Sequence, residues 1–405
     1  MRLLKTHYEY VIVGCCFLLL FINVGLASSS FNVYQPYLAE LPGIGHGGAG
    51  AILTVRTFTS FVCMFLVMYY YRFINVRLGI LIASLLTATG FVVFSLSDTM
   101  PGFCLASVLT GMGYGLGGMV ASTLVIGNWF YGHVGTAAGI AAVGSGVASM
   151  IMPVILAPII EAVGMHEAFL AEAVLALILA LVVFALLRAK PSDMGLAPVE
   201  AKARPTKKAR ATFSANELPR KYQVLMEIAM VCLGAVAVVG MNYLSILFTS
   251  DGLSTMLAAT LISLTGMFLT LGKFVVGIVF DQVGTRKGST VFFVFLVGGL
   301  ILCCCAQLGN PVEAALAACI YGSGVALGST GISVWSLELS PAQQSLKLIR
   351  NFQLAYAFGG FIFNLMPGTI VHFGGTYTMS YVVLTLLALT CAIIVLRVYR
   401  KVTAR

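Results

Sequence analysis

Residues 168–188 read AFLAEAVLALILALVVFALLR, twenty-one positions in which Glu172 is the one charge before the closing Arg188. An α-helix rises 1.5 Å per residue, so a run of this length spans the roughly 30 Å hydrocarbon layer of a bilayer. Working outward in both directions, the same pattern recurs. Apolar runs centre on 10–37, 48–71, 78–97, 101–128, 134–163 and 168–188. After a polar stretch they continue at 222–249, 255–280, 288–307, 311–337, 348–371 and 376–397. Bulk composition agrees: of 405 residues 60% are hydrophobic and 9% charged, with a mean hydropathy of +1.00. Soluble globular chains carry about 25% charged residues, too many for this chain to be one of them. The expected fold class is an all-α integral membrane protein of twelve transmembrane helices.

The charges give an orientation. With the N-terminus in the cytoplasm, Lys and Arg fall in cytoplasmic segments: Arg2 and Lys5, Arg72 and Arg77, nine from Arg188 to Lys221, Arg286 and Lys287, Lys347 and Arg350, and four from Arg397 onward. These are 21 of the 23 basic residues. The opposite loops hold acids and histidines, such as Glu40, Asp98, Glu161, Glu167, Asp251 and Glu313. By the positive-inside rule both termini are expected in the cytoplasm, in a cytoplasmic (inner) membrane. The net charge of +9 follows from this topology and from attraction to anionic headgroups, so nucleic-acid binding is not expected. Ile12-Val13-Gly14-Cys15 has the form of a lipoprotein cleavage box. The apolar stretch before it is too short for a signal peptide, and the hydrophobicity continues to Phe31, so a first membrane helix is expected.

The basic, proline-bearing stretch 190–221 divides the chain into a six-helix bundle at 1–189 and another at 222–405, and reads as a flexible or partly helical linker. Tyr114-Gly115-Leu116-Gly117 followed by Trp129 recurs six helices later as Tyr321-Gly322-Ser323-Gly324 followed by Trp335. Duplicated six-helix halves are a known transporter plan.

Two cations remain after the loops are counted. Arg56 lies in the second helix toward its outer half, and Lys273 lies near the middle of the eighth. A charge at the bilayer centre costs about 2.5–3.5 kcal/mol on insertion scales, so such residues face a cavity or a partner. No acid reads as mid-membrane; Glu172, Glu227, Asp281 and Glu338 all fall within a turn or two of an interface. The counter-charge is therefore expected to arrive with the solute, an anion and most simply a carboxylate. At 4 Å such a contact gains about 4 kcal/mol at an effective dielectric near 20. The alternative for Arg56 is snorkelling to the outer interface.

Gly277-Ile278-Val279-Phe280-Asp281-Gln282-Val283-Gly284-Thr285-Arg286-Lys287 makes a tight charged turn, and it resembles the loop that latches neighbouring helices in the major facilitator superfamily. A longer series resembles the monocarboxylate transporter and oxalate:formate antiporter branch of that superfamily. It comprises Gly111-Met112-Gly113-Tyr114-Gly115, Asn128-Trp129-Phe130, Ala138-Gly139-Ile140-Ala141, Gly144-Ser145-Gly146, Pro153, Gly164, Ala168-Phe169 and Pro191-Ser192-Asp193-Met194-Gly195-Leu196. The resemblance implies two pseudo-symmetric six-helix bundles rocking about a central cavity by alternating access. It implies proton symport or anion exchange of a small organic anion, and gate roles for Asp281, Arg286 and Lys287. It places Lys273 where the branch has a substrate-binding base. The chain departs from the branch in having Leu269 four residues before that base instead of an Asp. It lacks a lysine in the first helix, and it has Phe358-Gly359-Gly360 where oxalate antiporters carry one. Coupling through a carboxylate at position 269 is thus removed, and protonation of Lys273 itself is the expected substitute.

Further substrate-binding candidates are Tyr34, Tyr114, Asn242, Tyr243, Tyr321 and Trp335, on helices that resemble the cavity-lining set; each is equally readable as packing. The ten cysteines fall in apolar runs without metal spacing and read as small buried residues. Gly113-Tyr114-Gly115-Leu116-Gly117-Gly118 fits a dinucleotide fingerprint, but it lies in a membrane helix, where close helix packing is the better reading. No cofactor, metal or enzymatic acid–base cluster is expected, and a monomer is. The rival functions are carriage of a neutral or amphiphilic compound and a non-transporting membrane sensor.

Overall fold

The structure, a computed structural model, describes residues 8–131, 134–194, 199–200, 218–305, 309–340 and 345–402. Twelve described helices are long and apolar enough to cross a membrane. They are α1 (Tyr8–Glu40), α2 (Gly45–Phe73), α3 (Val76–Ser95), α4 (Met100–Trp129), α5 (Gly139–Val163), α6 (Met165–Leu186), α7 (Arg220–Asn242), α8 (Thr255–Phe280), α9 (Thr285–Cys305), α10 (Pro311–Ser336), α11 (Lys347–His372) and α12 (Tyr377–Val402). The chain divides into two compact units, Met1–Thr206 and Lys207–Arg405, with six of these helices in each. The fold is all-α, as its composition requires: in lipid a helix satisfies its backbone hydrogen bonds within itself.

Helix ends are marked by local chemistry. Asn75, Ser254 and Asn310 cap α3, α8 and α10 by accepting the N–H of Arg77, Leu257 and Val312. Gly164 (φ +106°) joins α5 to α6 and Gly374 (φ +87°) joins α11 to α12, matched sharp turns in a backbone region that side chains disfavour.

Five described helices are irregular: α11 is interrupted at 364–365, and the other four correspond between the two units. In α1, residues Phe21–Ser29 are π-helical, Ser30–Tyr34 form a 3-10 turn, and Gln35–Glu40 return to α. In α7, Ala235–Val239 are π-helical and Tyr243 interrupts the helix before Leu244–Ser250. Helix α4 breaks at Gly118 (ψ −140°). Helix α10 breaks at Ala326–Gly328, a 3-10 turn that ends at Ser329. Such interruptions cluster at functional sites.

The start of the expected linker is docked. Trp129 donates its indole N–H to the Arg188 carbonyl (2.8 Å), and the Asn128 amide donates to the Ala189 carbonyl (3.2 Å). Pro191 is buried and Met194 packs on the core of the first unit. Phe130–Tyr131 pair in parallel with Val199–Glu200. Two of the motif segments are thereby joined, Asn128-Trp129-Phe130 and the one beginning at Pro191. The stretch 201–217 lies outside the described residues.

Contrary to the expectation from the sequence, not all ten cysteines are buried. Cys305 is exposed and Cys104, Cys304 and Cys319 are half-buried, because thiols are apolar enough to sit on lipid-facing helix surfaces.

Candidate functional site

In the first unit the glycines of α4 let helices approach closely. A Cβ on Gly115 would lie 2.7 Å from the Ser60 carbonyl of α2, and one on Gly113 would lie 2.0 Å from Thr87 Oγ1 of α3. The same crossing recurs in the second unit, where a Cβ on Gly322 would lie 2.4 Å from the Thr265 carbonyl of α8. The Tyr-Gly repeat thus marks equivalent crossings of α2 with α4 and of α8 with α10. The glycine-rich run is a packing stripe.

Arg56 is 4% exposed, and its guanidinium lies 4.9 Å from the centroid of the Phe31 ring. Tyr114 of α4, half-buried, is within its electrostatic reach. Phe31 belongs to a ring cluster: Tyr34 stacks on Phe169 at 3.9 Å and Phe169 stacks on Phe94 at 4.9 Å. Beneath these rings lies Glu172, 1% exposed. The Tyr34 hydroxyl donates to its Oε2 (2.9 Å), and Ser30 Oγ lies 2.7 Å from its Oε1. The expectation that Glu172 lies within a turn or two of an interface concerned depth alone and did not foresee this enclosure. By residue count Glu172 is only two turns into α6, yet its side chain is aimed at α1 and enclosed.

Other buried polar groups gather at the same irregular stretches. The Asn23 amide donates to Ser84 Oγ (3.0 Å) and to the Gly117 carbonyl (3.4 Å), and it accepts from Thr87 (2.7 Å), tying the π-helical part of α1 to the break in α4. Gln35 is fully buried, and neither of its amide atoms has a hydrogen-bond partner among the described residues.

In the second unit Lys273 is half-buried on α8. Its backbone carbonyl accepts from Thr330 of α10 (3.2 Å), which places it beside the α10 break. Among the described residues no acid pairs with its ammonium.

The remaining candidates brace the helices of this unit. Tyr321 is fully buried and donates to the Val236 carbonyl (2.8 Å) in the π-helical stretch of α7, where the regular pattern is lost. Asn242 donates to Asn364 Oδ1 (2.9 Å) and Tyr243 to the Asn364 carbonyl (2.8 Å). Trp335 is fully buried, donates to Ser289 Oγ (2.9 Å) and stacks on Phe293. With their polar atoms bonded inside the unit, Tyr321, Tyr243 and Trp335 fit the packing alternative that the sequence left open. Asn364 escaped the sequence reading, although a lone Asn in an apolar run ahead of Pro367 was a usable signal.

At the expected gate, α8 continues to Val283 and ends at Gly284, whose φ of +86° permits the turn into α9. Arg286 and Lys287 are exposed, and the Asp281 side chain lies outside the described residues. Glu338, which the sequence reading passed over as an interfacial acid, accepts from Thr285 (2.5 Å) and Tyr399 (3.1 Å) and so ties this turn to α12.

The sequence profile of the Major Facilitator Superfamily matches residues 16–364. The chain belongs to the major facilitator superfamily. Membership makes it a multi-pass membrane protein and a transporter. Solved structures share this major facilitator fold over nearly their whole length. A POT family transporter in complex with 5-aminolevulinic acid aligns with a TM-score of 0.77 at 16% identity, covering 96% of each chain. A D-xylose–proton symporter aligns with a TM-score of 0.75 at 14% identity, covering 96% of this chain and 97% of that one. A nucleoside transporter aligns with a TM-score of 0.71 at 14% identity, covering 95% and 98%. No curated protein matches the sequence significantly.

Proposed function

We propose that this major facilitator protein is a secondary active transporter that carries a small organic anion, most simply a monocarboxylate, across the cytoplasmic membrane by alternating access, as a symporter or an anion exchanger. The observation that supports this reading most is Lys273: a cation within α8, beside the α10 break, with no acid paired to it among the described residues. An intramembrane cation without a protein counter-ion is stabilised by an anionic ligand, and the solute supplies one. Arg56, with Tyr114 within its reach, is the second cation offered to the anion. Asp281, Arg286 and Lys287 keep the gate role that the family resemblance assigns them.

The test is uptake of labelled formate, acetate, lactate and pyruvate into proteoliposomes. Wild type is expected to carry at least one of them, with competition from the others. Lys273→Ala is expected to cut that uptake by at least about tenfold, which is 1.4 kcal/mol of binding. Uptake that survives Lys273→Ala unchanged would sink the assignment. Transport of uncharged compounds without competition by carboxylates would favour the neutral-solute reading. Buried Gln35, without a hydrogen-bond partner among the described residues, gives that alternative its own support, since an amide recognises a neutral polar group as readily as a carboxylate.

A further inference from the structure

Ser30 Oγ makes two short contacts at once, 2.6 Å to the Leu26 carbonyl and 2.7 Å to Glu172 Oε1. A serine hydroxyl has one proton to donate, and a carbonyl oxygen can only accept. If that proton goes to Leu26, an ionised Glu172 would face the hydroxyl oxygen acceptor to acceptor. If it goes to Glu172, the Leu26 contact becomes an oxygen–oxygen repulsion. One proton shared between both acceptors would lengthen both arms, yet both lie at or below the usual O–H···O distance. A single assignment satisfies every atom: Glu172 carries a proton on Oε1 and donates it to Ser30, Ser30 donates to Leu26, and Tyr34 donates to Oε2.

We propose that Glu172 is the proton-binding site of this carrier, loaded in the present structure and emptied when the Ser30–Tyr34 turn of α1 moves. Both hydroxyls that hold it lie on this 3-10 turn, between the π-helical and α-helical parts of α1, where a change of pitch would withdraw them together. On release the carboxyl O–H breaks, the proton passes to water, and the carboxylate remains. No electron is exchanged.

The surroundings leave this proton to Glu172 alone. From α1, Ser30 and Tyr34 face it. The one charged residue of α3 is Arg77, whose guanidinium donates to the Phe184 carbonyl (2.7 and 2.9 Å) at the far end of α6. Helix α5 carries only Glu161, exposed near its end. On α6 itself His166 faces Asp98 (3.4 Å) and Glu167 is exposed. Arg56 of α2 approaches through Phe31, which packs against Tyr34 at 5.9 Å. Ionisation of Glu172 would thus place a carboxylate in the same ring cluster as the buried guanidinium, which links the proton to the arm of the site that Arg56 offers a solute.

The proposal rests on reading the chain as an anion carrier, and a two-part experiment separates the two claims. Infrared difference spectra of purified wild type and Glu172→Gln are recorded between about pH 6 and 9. Glutamine reproduces the protonated geometry, since its N–H₂ donates to Ser30 and its carbonyl accepts from Tyr34. A protonated-carboxyl band at neutral pH that Glu172→Gln removes supports the proposal; spectra that agree at all pH values overturn it. Proteoliposomes are then given formate, acetate, lactate and pyruvate with a one-unit inward pH step, which supports about tenfold accumulation at one proton per solute. Glu172→Gln is expected to bring accumulation close to the outside concentration, with solute-for-solute exchange reduced by less than about threefold. Full tenfold accumulation by the variant, or a wild type that exchanges a probe but ignores the pH step, overturns it. If wild type moves none of the four probes, the monocarboxylate reading falls, and the infrared result decides Glu172 without it.

Discussion

Asp251 sits in the turn after Leu244–Ser250, outside the membrane spans, with Oδ2 buried and without a hydrogen-bond partner among the described residues. Burial disfavours the charged form and pushes its pKa up to about 6 from 3.8. The native state therefore holds this proton more tightly than the unfolded chain. Stability from this group is present below about pH 4 and is lost as pH rises through about 6. Asp251→Asn should raise the thermal unfolding midpoint at pH 7.5 by about 2 °C, the modest size reflecting partial solvent screening. The gain should vanish near pH 4, and a scan of midpoint against pH checks it. A polar atom's cost or use depends on its neighbours, which residue identity does not reveal. Lys273 and Arg56 were legible because a charge in an apolar run is conspicuous whatever surrounds it. Glu172 was not, because counting residues from a helix end measures depth and says nothing of which way the carboxyl points.

At the scale of elements, the chain uses glycine where two backbones touch. A Cβ on Gly144 would lie 2.1 Å from the Phe17 carbonyl, where α5 crosses α1. A Cβ on Gly359 would lie 1.9 Å from the Val231 carbonyl, the equivalent crossing of α11 with α7. Any side chain at Gly359 would meet this main chain. Gly359→Ala should destabilise the protein by about 2 kcal/mol, within the usual range for overpacking. Gly298→Ala, with nothing within 4 Å of its Cβ, should be neutral or slightly stabilising. Thermal unfolding of the two variants in one detergent makes the comparison, and equal behaviour would refute it. The twelve spans were legible because lipid imposes length and apolarity on every crossing segment. The breaks at Tyr243 and Ser329 were not, because interhelical bonds replace the hydrogen bonds that a helix interruption gives up.

For the whole molecule, the one-sided basic loops predict an orientation that fusion reporters test. A C-terminal green fluorescent protein should fluoresce, and alkaline phosphatase placed beside Glu313 should be active. The reverse pattern would invert the topology. Hydropathy and charge determined the number of spans and the presence of two intramembrane cations, because the bilayer acts on each segment separately, and the Tyr-Gly repeat pointed to the duplicated plan. Tertiary structure decided which polar residues are spoken for. It bonded Tyr321, Tyr243 and Trp335 within the second unit, tied Arg188, just before the linker, to α4, and enclosed Glu172 against Ser30 and Tyr34. Those outcomes depend on helix rotation and on hydrogen bonds between segments far apart in the chain, which no local pattern encodes.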